Sequence, residues 1–128
     1  MIVAGVGCRA GASAREVEAA IAAALERAGV AEGELGMIAT SLAKGSERGI
    51  AAVALERGVK FVVVPRAEFE AAGARVVTQS ERVLKLTGVP SVSEAAALAA
   101  GGPDARLIAP RIAVGPATCA LAITGDAP

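Results

Sequence analysis

Short apolar runs and amphipathic stretches alternate along the first half of the chain. The runs at residues 2–6, 36–40 and 59–64 are rich in Val, Ile and Ala. Runs of this length and composition predict strands, and the unbroken "VKFVVV" predicts a strand that is buried on both faces. Strands that are separated by helical stretches predict right-handed crossovers and a parallel sheet.

The stretch between the first two runs carries the signals of a complete helix. An apolar residue stands at every fourth position: Val17, Ile21 and Leu25. Ser13 followed by Glu16 predicts a capping box at the start of this helix. Gly29 stands where a left-handed C-cap is expected.

The rest of the chain predicts more helices and a closing pair of strands. The further helices are predicted at 47–57 after a cap at Ser46, at 66–73, at 78–87, and from a cap at Ser91 or Ser93. Apolar runs at 105–110 and 117–124 are joined by residues 111–116, and this short connection predicts an antiparallel hairpin. We therefore predict an α/β protein, a three-layer α/β/α sandwich with a mixed, mostly parallel sheet of about five strands. The length and the lack of a linker predict a single domain over residues 1–128.

Charge and composition exclude several classes of partner. Lys and Arg balance Asp and Glu at 13 each, and only 2% of residues are aromatic, so neither a nucleic-acid-attracting field nor base-stacking platforms are expected. No apolar stretch is long enough to span a membrane, and the first residues lack the basic region of a signal peptide. We expect no nucleic-acid or membrane partner, a cytoplasmic location, and reduced thiols at Cys8 and Cys119.

Histidine, tyrosine and tryptophan are absent from the sequence. A His-based triad, a His general base and a His-coordinated metal are therefore excluded, and two cysteines alone cannot complete a zinc site. Any chemistry must use Cys, Lys, Arg, Asp, Glu, Ser or Thr. We expect no metal and no cofactor.

The first predicted strand runs into a glycine-rich loop, "GVGCRAGAS". The spacing of Gly5, Gly7 and Gly11 is close to a dinucleotide fingerprint but is off by one residue. No acidic residue follows a second strand about 20 residues on, where a ribose hydroxyl would need it. The same glycines fit a tight strand-to-helix turn, in which at least one should have positive φ. Nucleotide binding therefore stays open as an alternative.

Charged and reactive side chains stand in this loop and in the next one. Arg9 lies near the positive end of the first predicted helix, where free N–H groups and a guanidinium can bind an anion. Cys8 is a candidate nucleophile, because a helix start can lower its pKa. Lys44, after the second strand, is another candidate cation, and both loops should meet at the carboxyl edge of the sheet. Each residue also fits a plain role: a solvated arginine, a small packing residue and a surface lysine.

Several segments together resemble a known family: "GVGCRAGAS", "ATSLAKGSE", "TQSERVLKLTGVPSVSEAAALAAGG" and "ARLIAPRIAVGPATCALAI". Over residues 2–123 and in the same order, they are similar to the CobE proteins of cobalamin biosynthesis and to the C-terminal domain of CbiG, the cobalt-precorrin hydrolase. A chain of this length without the N-terminal part of CbiG is more similar to CobE. The resemblance implies an α/β/α sandwich with a mixed sheet and work on a corrin-ring intermediate.

The resemblance gives the candidate residues a common ligand. A precorrin carries acetate and propionate groups around an apolar ring, and its pocket needs fixed cations, helix N-termini and aliphatic walls. The residues expected to bind it are Gly5, Gly7, Arg9, Gly11, Ser13, Thr40, Lys44 and Arg111. If the protein opens the ring-A lactone, as CbiG is understood to do, Cys8 or Lys44 would act as the base.

The sequence departs from the family pattern at two positions. Ala12 stands where the family usually carries a hydroxyl, and Leu42 stands where an acidic residue is common two positions before the lysine. Both departures favour binding over hydrolysis. The hypotheses are a protein of the lactone-opening stage, a non-catalytic tetrapyrrole carrier that works with other cobalamin-pathway enzymes, and a nucleotide-binding domain. Ser91 and Glu94 are expected to serve a helix start, as cap and capping box.

Overall fold

A computed structural model describes residues 1–125 of the chain. In chain order its strands and longer helices are β1 (Ile2–Cys8), α1 (Ala14–Ala28), β2 (Leu35–Ser41), α2 (Arg48–Arg57), β3 (Lys60–Val64), α3 (Arg66–Ala72), α4 (Glu81–Thr87), α5 (Val92–Gly101), β4 (Arg106–Val114) and β5 (Ala117–Ile123). Short 3-10 turns follow α1, β2 and α3.

The strands form one sheet in the order β3-β2-β1-β5-β4. β1 pairs in parallel with β2, and β2 pairs in parallel with β3. β5 runs antiparallel to β1, and β4 runs antiparallel to β5. Because β4 therefore points the same way as β1, the sheet is mixed and mostly parallel. This confirms the predicted fold class, including the C-terminal antiparallel hairpin.

Each face of the sheet has its own hydrophobic core. On one face, Ile21 and Leu25 of α1 and Ile50 of α2 pack over the central strands. On the other face, the alanines of α5 pack with Phe69 of α3 and with Val3 of β1. The capping box at Ser13 is confirmed. None of the helices in residues 1–125 is long and apolar enough to cross a membrane.

The backbone of α5 lies directly on β1 at Gly5. A Cβ atom at this position would overlap the carbonyl oxygen of Ser93 and would lie 2.6 Å from the amide nitrogen of Ala97. This approach is possible because Gly5 has no side chain and the facing residues of α5 are small. Gly5 therefore serves the packing of two layers.

Several predicted elements have different boundaries in the structure. The helix predicted at 78–87 is α4, which begins at Glu81 because Ser80 is its N-cap. Glu47, and not Ser46, is the N-cap of α2, and its side chain makes no capping bond because the carboxylate accepts a tertiary hydrogen bond instead. Residues 111–114 continue β4, so only Gly115 and Pro116 join the two strands of the hairpin. Gly115 has a φ of 58°, which this two-residue turn requires.

The unbroken apolar run of β3 predicts a strand that is buried on both faces, and this prediction is wrong. β3 is an edge strand, in which Lys60 is exposed, residues 61–63 are partly exposed and only Val64 is buried. The order of strands in a sheet depends on long-range pairing, which cannot be predicted from the composition of one run.

We expect Gly5→Ala to lower the free energy of unfolding by about 1–3 kcal/mol, because the new methyl group must push α5 away from β1. Gly33→Ala is the matched control, since a Cβ at Gly33 meets no heavy atom within 4 Å. The control should change stability by no more than about 0.5 kcal/mol. Urea unfolding measures both variants, and equal small effects would contradict the close contact.

Candidate functional site

A cleft of about 490 Å³ opens at the carboxyl ends of β1 and β2. Its walls come from these strand ends, from the turn after β2, from α4, from the first residue of α5 and from the β4–β5 hairpin. Four cationic side chains line it: Arg9, Lys44, Arg82 and Arg111. No Asp or Glu is among the described residues that line this cleft.

The structure brings several of the predicted site residues together here. Gly7, Cys8 and Arg9 reach the cleft from the end of β1, and Lys44 reaches it from the turn after β2. Arg111 lines it from the hairpin, but it lies within β4 and not in a loop after a strand. The loops after β1 and β2 do meet at the carboxyl edge, because these strands are neighbours.

Other predicted binding residues lie outside the cleft lining. Gly5 is buried beneath α5, and Ser13 caps α1. Thr40 is fully buried, and its hydroxyl donates to the carbonyl of Val6 at 2.7 Å, which joins β2 to β1. Gly11 is exposed on the loop. The structure gives each of these residues a role in the backbone path, and it does not bring their side chains to the cleft.

The N–H groups of the glycine-rich loop already bind carboxylates of the protein itself. The N–H of Gly11 donates to Glu47 Oε1 at 3.0 Å, and the N–H of Ser13 donates to Glu16 Oε1 at 2.9 Å. Gly11 has a φ of 81°, which confirms the positive φ expected for one loop glycine. The second carboxylate oxygen of Glu47 lies 4.0 Å from the ammonium of Lys44. Two backbone donors of this loop are thus engaged internally.

Cys8 is half-buried at the mouth of the loop. Burial raises the pKa of its thiol, the charge of Glu47 raises it further, and Lys44 lowers it by less. The prediction that the helix start lowers the pKa of Cys8 is therefore wrong. At neutral pH Cys8 is a thiol, which is a weak nucleophile and a poor base.

Sequence reasoning missed the contribution of α4 to the cleft. Arg82, Val83 and Leu86 line it from this helix, together with Ser80 just before the helix and Thr87 at its end. The available signal was the spacing of Val83 and Leu86, three residues apart in the predicted helix, which indicates one apolar face. This signal does not indicate what the face contacts.

Glu94 holds two walls of the cleft in place. It is fully buried, and its carboxylate accepts the N–H of Val77 at 2.7 Å, the N–H of Thr78 at 3.0 Å and the N–H of Arg111 at 2.8 Å. The hydroxyl of Thr78 also donates to it. Ser91 caps α5 as predicted, but the expected capping box is not formed, because the Glu94 side chain turns to these distant partners.

The backbone N–H of Arg111 lies at an irregularity in the edge strand β4, and Glu94 supplies its hydrogen-bond acceptor. The pairing of β4 with β5 steps from Ala109 opposite Leu121 to Ile112 opposite Cys119, so β4 carries one extra residue at this bulge. Bulges at sheet edges re-aim side chains, and here the residue that lines the cleft is Arg111. Glu94 therefore sets the backbone from which this cation projects.

Among residues 1–125, no three Asp, Glu or Cys side chains come together in a group that could hold a metal ion. Arg9 and Arg82 are exposed at the rim, whereas Lys44 and Arg111 are partly buried. The described lining of the cleft therefore offers cations and aliphatic surface and no acidic side chain, while Glu47, outside the lining, lies 4.0 Å from Lys44. These features define an open α/β domain with a cation-lined cleft at the carboxyl edge of its sheet, where such folds bind ligands.

Comparison with known proteins gives the family. The family described as "Cobalamin synthesis G C-terminus" matches residues 2–122, and the chain belongs to it. Protein CobE from Sinorhizobium sp is 39% identical over 121 residues, which cover 94% of this chain and 79% of that protein. The resemblance seen in the sequence is thereby confirmed.

Solved structures agree with this assignment. The crystal structure of CobE, a protein from the cobalamin biosynthetic pathway, superposes with a TM-score of 0.87 at 31% identity, over 95% of this chain and 89% of that one. Cobalamin biosynthesis protein chiG from Agrobacterium tumefaciens superposes with a TM-score of 0.78 at 43% identity, over 98% of this chain and 100% of that one.

We expect Glu94→Gln to lower the free energy of unfolding by about 1–3 kcal/mol at pH 7, because the amide cannot accept all the hydrogen bonds that the carboxylate accepts. Burial alone would raise the pKa of Glu94, but the bonds from Thr78, Arg111 and Val77 outweigh burial and lower the pKa.

The sign of the pH dependence follows from this lowered pKa. The contribution of ionised Glu94 is complete above the ordinary glutamate pKa of about 4.3 and is lost as the pH falls through the lowered value. Urea unfolding between pH 7 and pH 3 should therefore show the difference between wild type and Glu94→Gln shrinking at the acid end. A difference that stays constant, or one that grows in acid, would contradict the assignment.

We expect a thiol reagent to count both cysteines in denaturant and to react slowly with the folded protein. Cys119 is fully buried, which raises its pKa to about 12, and it should react only on unfolding. Cys8 should react at a rate that still increases above the ordinary cysteine pKa of about 8.5. Fast labelling of Cys8 at pH 7 would show a thiolate and contradict the structure.

Proposed function

We propose that this domain binds a corrinoid intermediate of cobalamin biosynthesis in the cleft at the carboxyl edge of its sheet. One observation carries the proposal. The protein has no net charge, yet Arg9, Lys44, Arg82 and Arg111 converge on one cleft from separate elements, and none of the described lining residues is acidic. A ligand with several carboxylates matches this local excess of positive charge.

The ring of the ligand also finds a matching surface. Aliphatic side chains stand among the cations, notably Val83, Leu86, Val92 and Ala113. A second cavity of about 280 Å³ shares Leu86 with the cleft and extends the space beyond α4. A corrinoid is an apolar macrocycle with acetate and propionate groups at its edge, so both kinds of surface are used by one molecule.

Binding without hydrolysis is the form of this function that the residues favour. Hydrolysis of a lactone needs a group that activates water, and burial keeps Cys8 in its thiol form. The nearby carboxylate of Glu47 is engaged by the N–H of Gly11 and lies beside Lys44. Leu42 stands where the family resemblance implies an acidic residue. The domain then holds the tetrapyrrole and passes it to other enzymes of the pathway.

Nucleotide binding is disfavoured by the same loop. The N–H groups of Gly11 and Ser13 donate to Glu47 and Glu16, so a phosphate would have to displace two internal carboxylates. We also propose a cytoplasmic location for this role, in which Cys8 and Cys119 would stay reduced.

We expect alanine substitution of Arg9, Lys44 or Arg111 to weaken binding of cobyrinic acid by about ten- to a hundredfold each. One charge-assisted hydrogen bond contributes about 1.5–3 kcal/mol, which corresponds to this range. Arg27→Ala is the matched control, because it removes one charge from the last turn of α1, outside the cleft lining. Spectral titration measures each affinity, and losses no larger than that of Arg27→Ala would contradict the binding site.

A second experiment separates carrying from catalysis. The purified protein is incubated with a lactone-bearing precorrin, and opening of the lactone is followed by mass spectrometry. We expect tight binding and no turnover. Turnover that is lost in Lys44→Ala or Cys8→Ala would instead assign the domain to the lactone-opening reaction.

A further inference from the structure

α4 differs from the other helices in that none of its residues is buried. By contrast, α1, α2, α3 and α5 all place side chains in the core. A helix of seven residues is not stable in water by itself, so its conformation must be held by its surroundings. The position of α4 must therefore be fixed by contacts other than packing in the hydrophobic core.

Both ends of α4 are tied to the body of the domain. Before the helix, Glu94 holds the backbone of Val77 and Thr78, and Ser80 caps the first turn through the N–H of Val83. At the end of the helix, the hydroxyl oxygen of Thr87 accepts the N–H of Val89 at 3.3 Å, and Val89 is buried. The segment is a strap that is fixed at each end and uncovered between them.

The uncovered part of the strap carries apolar side chains. Leu86 is 74% exposed and Leu84 is 45% exposed. Leu86 and Val83 line the cleft, whereas Leu84 does not. An exposed leucine on a cleft wall is apolar surface that a ligand can remove from water.

The charges around this wall indicate what covers it. Arg82 lines the cleft from the strap itself, Arg9 lines it from the loop after β1, and Arg111 lines it from β4. An occupant that touches all of these groups needs an apolar body between anionic edges. A purely apolar ligand would leave the cations unpaired, and a small anion would leave Leu86 exposed.

We propose that α4 is the wall that covers the apolar face of the bound macrocycle, with Val83 and Leu86 in contact with the ring, and that the strap is held more rigidly when the ligand is present. This inference rests on the proposed corrinoid-binding function and adds the residues that recognise the ring. The cations bind the edge of the ligand, and the strap binds its face.

The test compares Leu86→Ala with Leu84→Ala, two leucines of the same helix. Both are exposed, so neither variant should change the midpoint of urea unfolding appreciably. Leu86→Ala should weaken binding of cobyrinic acid about tenfold or more, because the ring loses a buried contact. Leu84→Ala should stay within about twofold of wild type, and Val83→Ala should behave like Leu86→Ala.

Hydrogen exchange of the wild-type protein provides an independent measurement. Saturation with cobyrinic acid should slow exchange of the amides in residues 81–88 and leave those at the carboxyl end of α1 unchanged. Normal binding with equal affinities of Leu86→Ala and Leu84→Ala, or with no slowing in the strap, overturns this inference and leaves the proposed function standing. Failure of the wild type to bind cobyrinic acid overturns the proposed function and the inference together.

Discussion

The buried carboxylate of Glu94 is the interaction on which the cleft depends. It joins α5 to the bulge of β4 at Arg111 and to the backbone at Val77 and Thr78, which leads into α4. A charged group in this position would be costly without donors, and four hydrogen bonds supply them. Because Arg111 lines the cleft and Thr78 stands two residues before Ser80, the N-cap of α4, this buried group positions two walls of the site.

The carboxylates of the domain itself decide which groups of the site remain for a ligand. Glu47 and Glu16 accept the backbone N–H groups of Gly11 and Ser13, which fixes the path of the glycine-rich loop. The side chains of Arg9, Lys44 and Arg111 line the cleft and remain for a ligand. A cleft of this kind fits the proposed corrinoid ligand, and the chain belongs to a cobalamin-synthesis family.

Local sequence signals predict those features of the structure that depend on residues close together in the chain. Periodicity, the cap at Ser13 and the parallel crossovers predict the fold and place Arg9 and Lys44 at one edge of the sheet. The role of Glu94 could not be predicted, because its partners lie 16 and 17 residues away and a cap position explains the same residue locally. The direction of the Cys8 pKa shift and the edge position of β3 likewise depend on tertiary burial and strand order.

The most direct measurement is a titration of the wild-type protein with cobyrinic acid and with its methyl ester, at low and at high salt. The ester keeps the apolar ring and removes the charges of the edge. We predict that the acid binds much more tightly than the ester, and that this difference shrinks as salt screens the cations. Equal binding of acid and ester, independent of salt, would contradict recognition of the ligand by Arg9, Lys44 and Arg111.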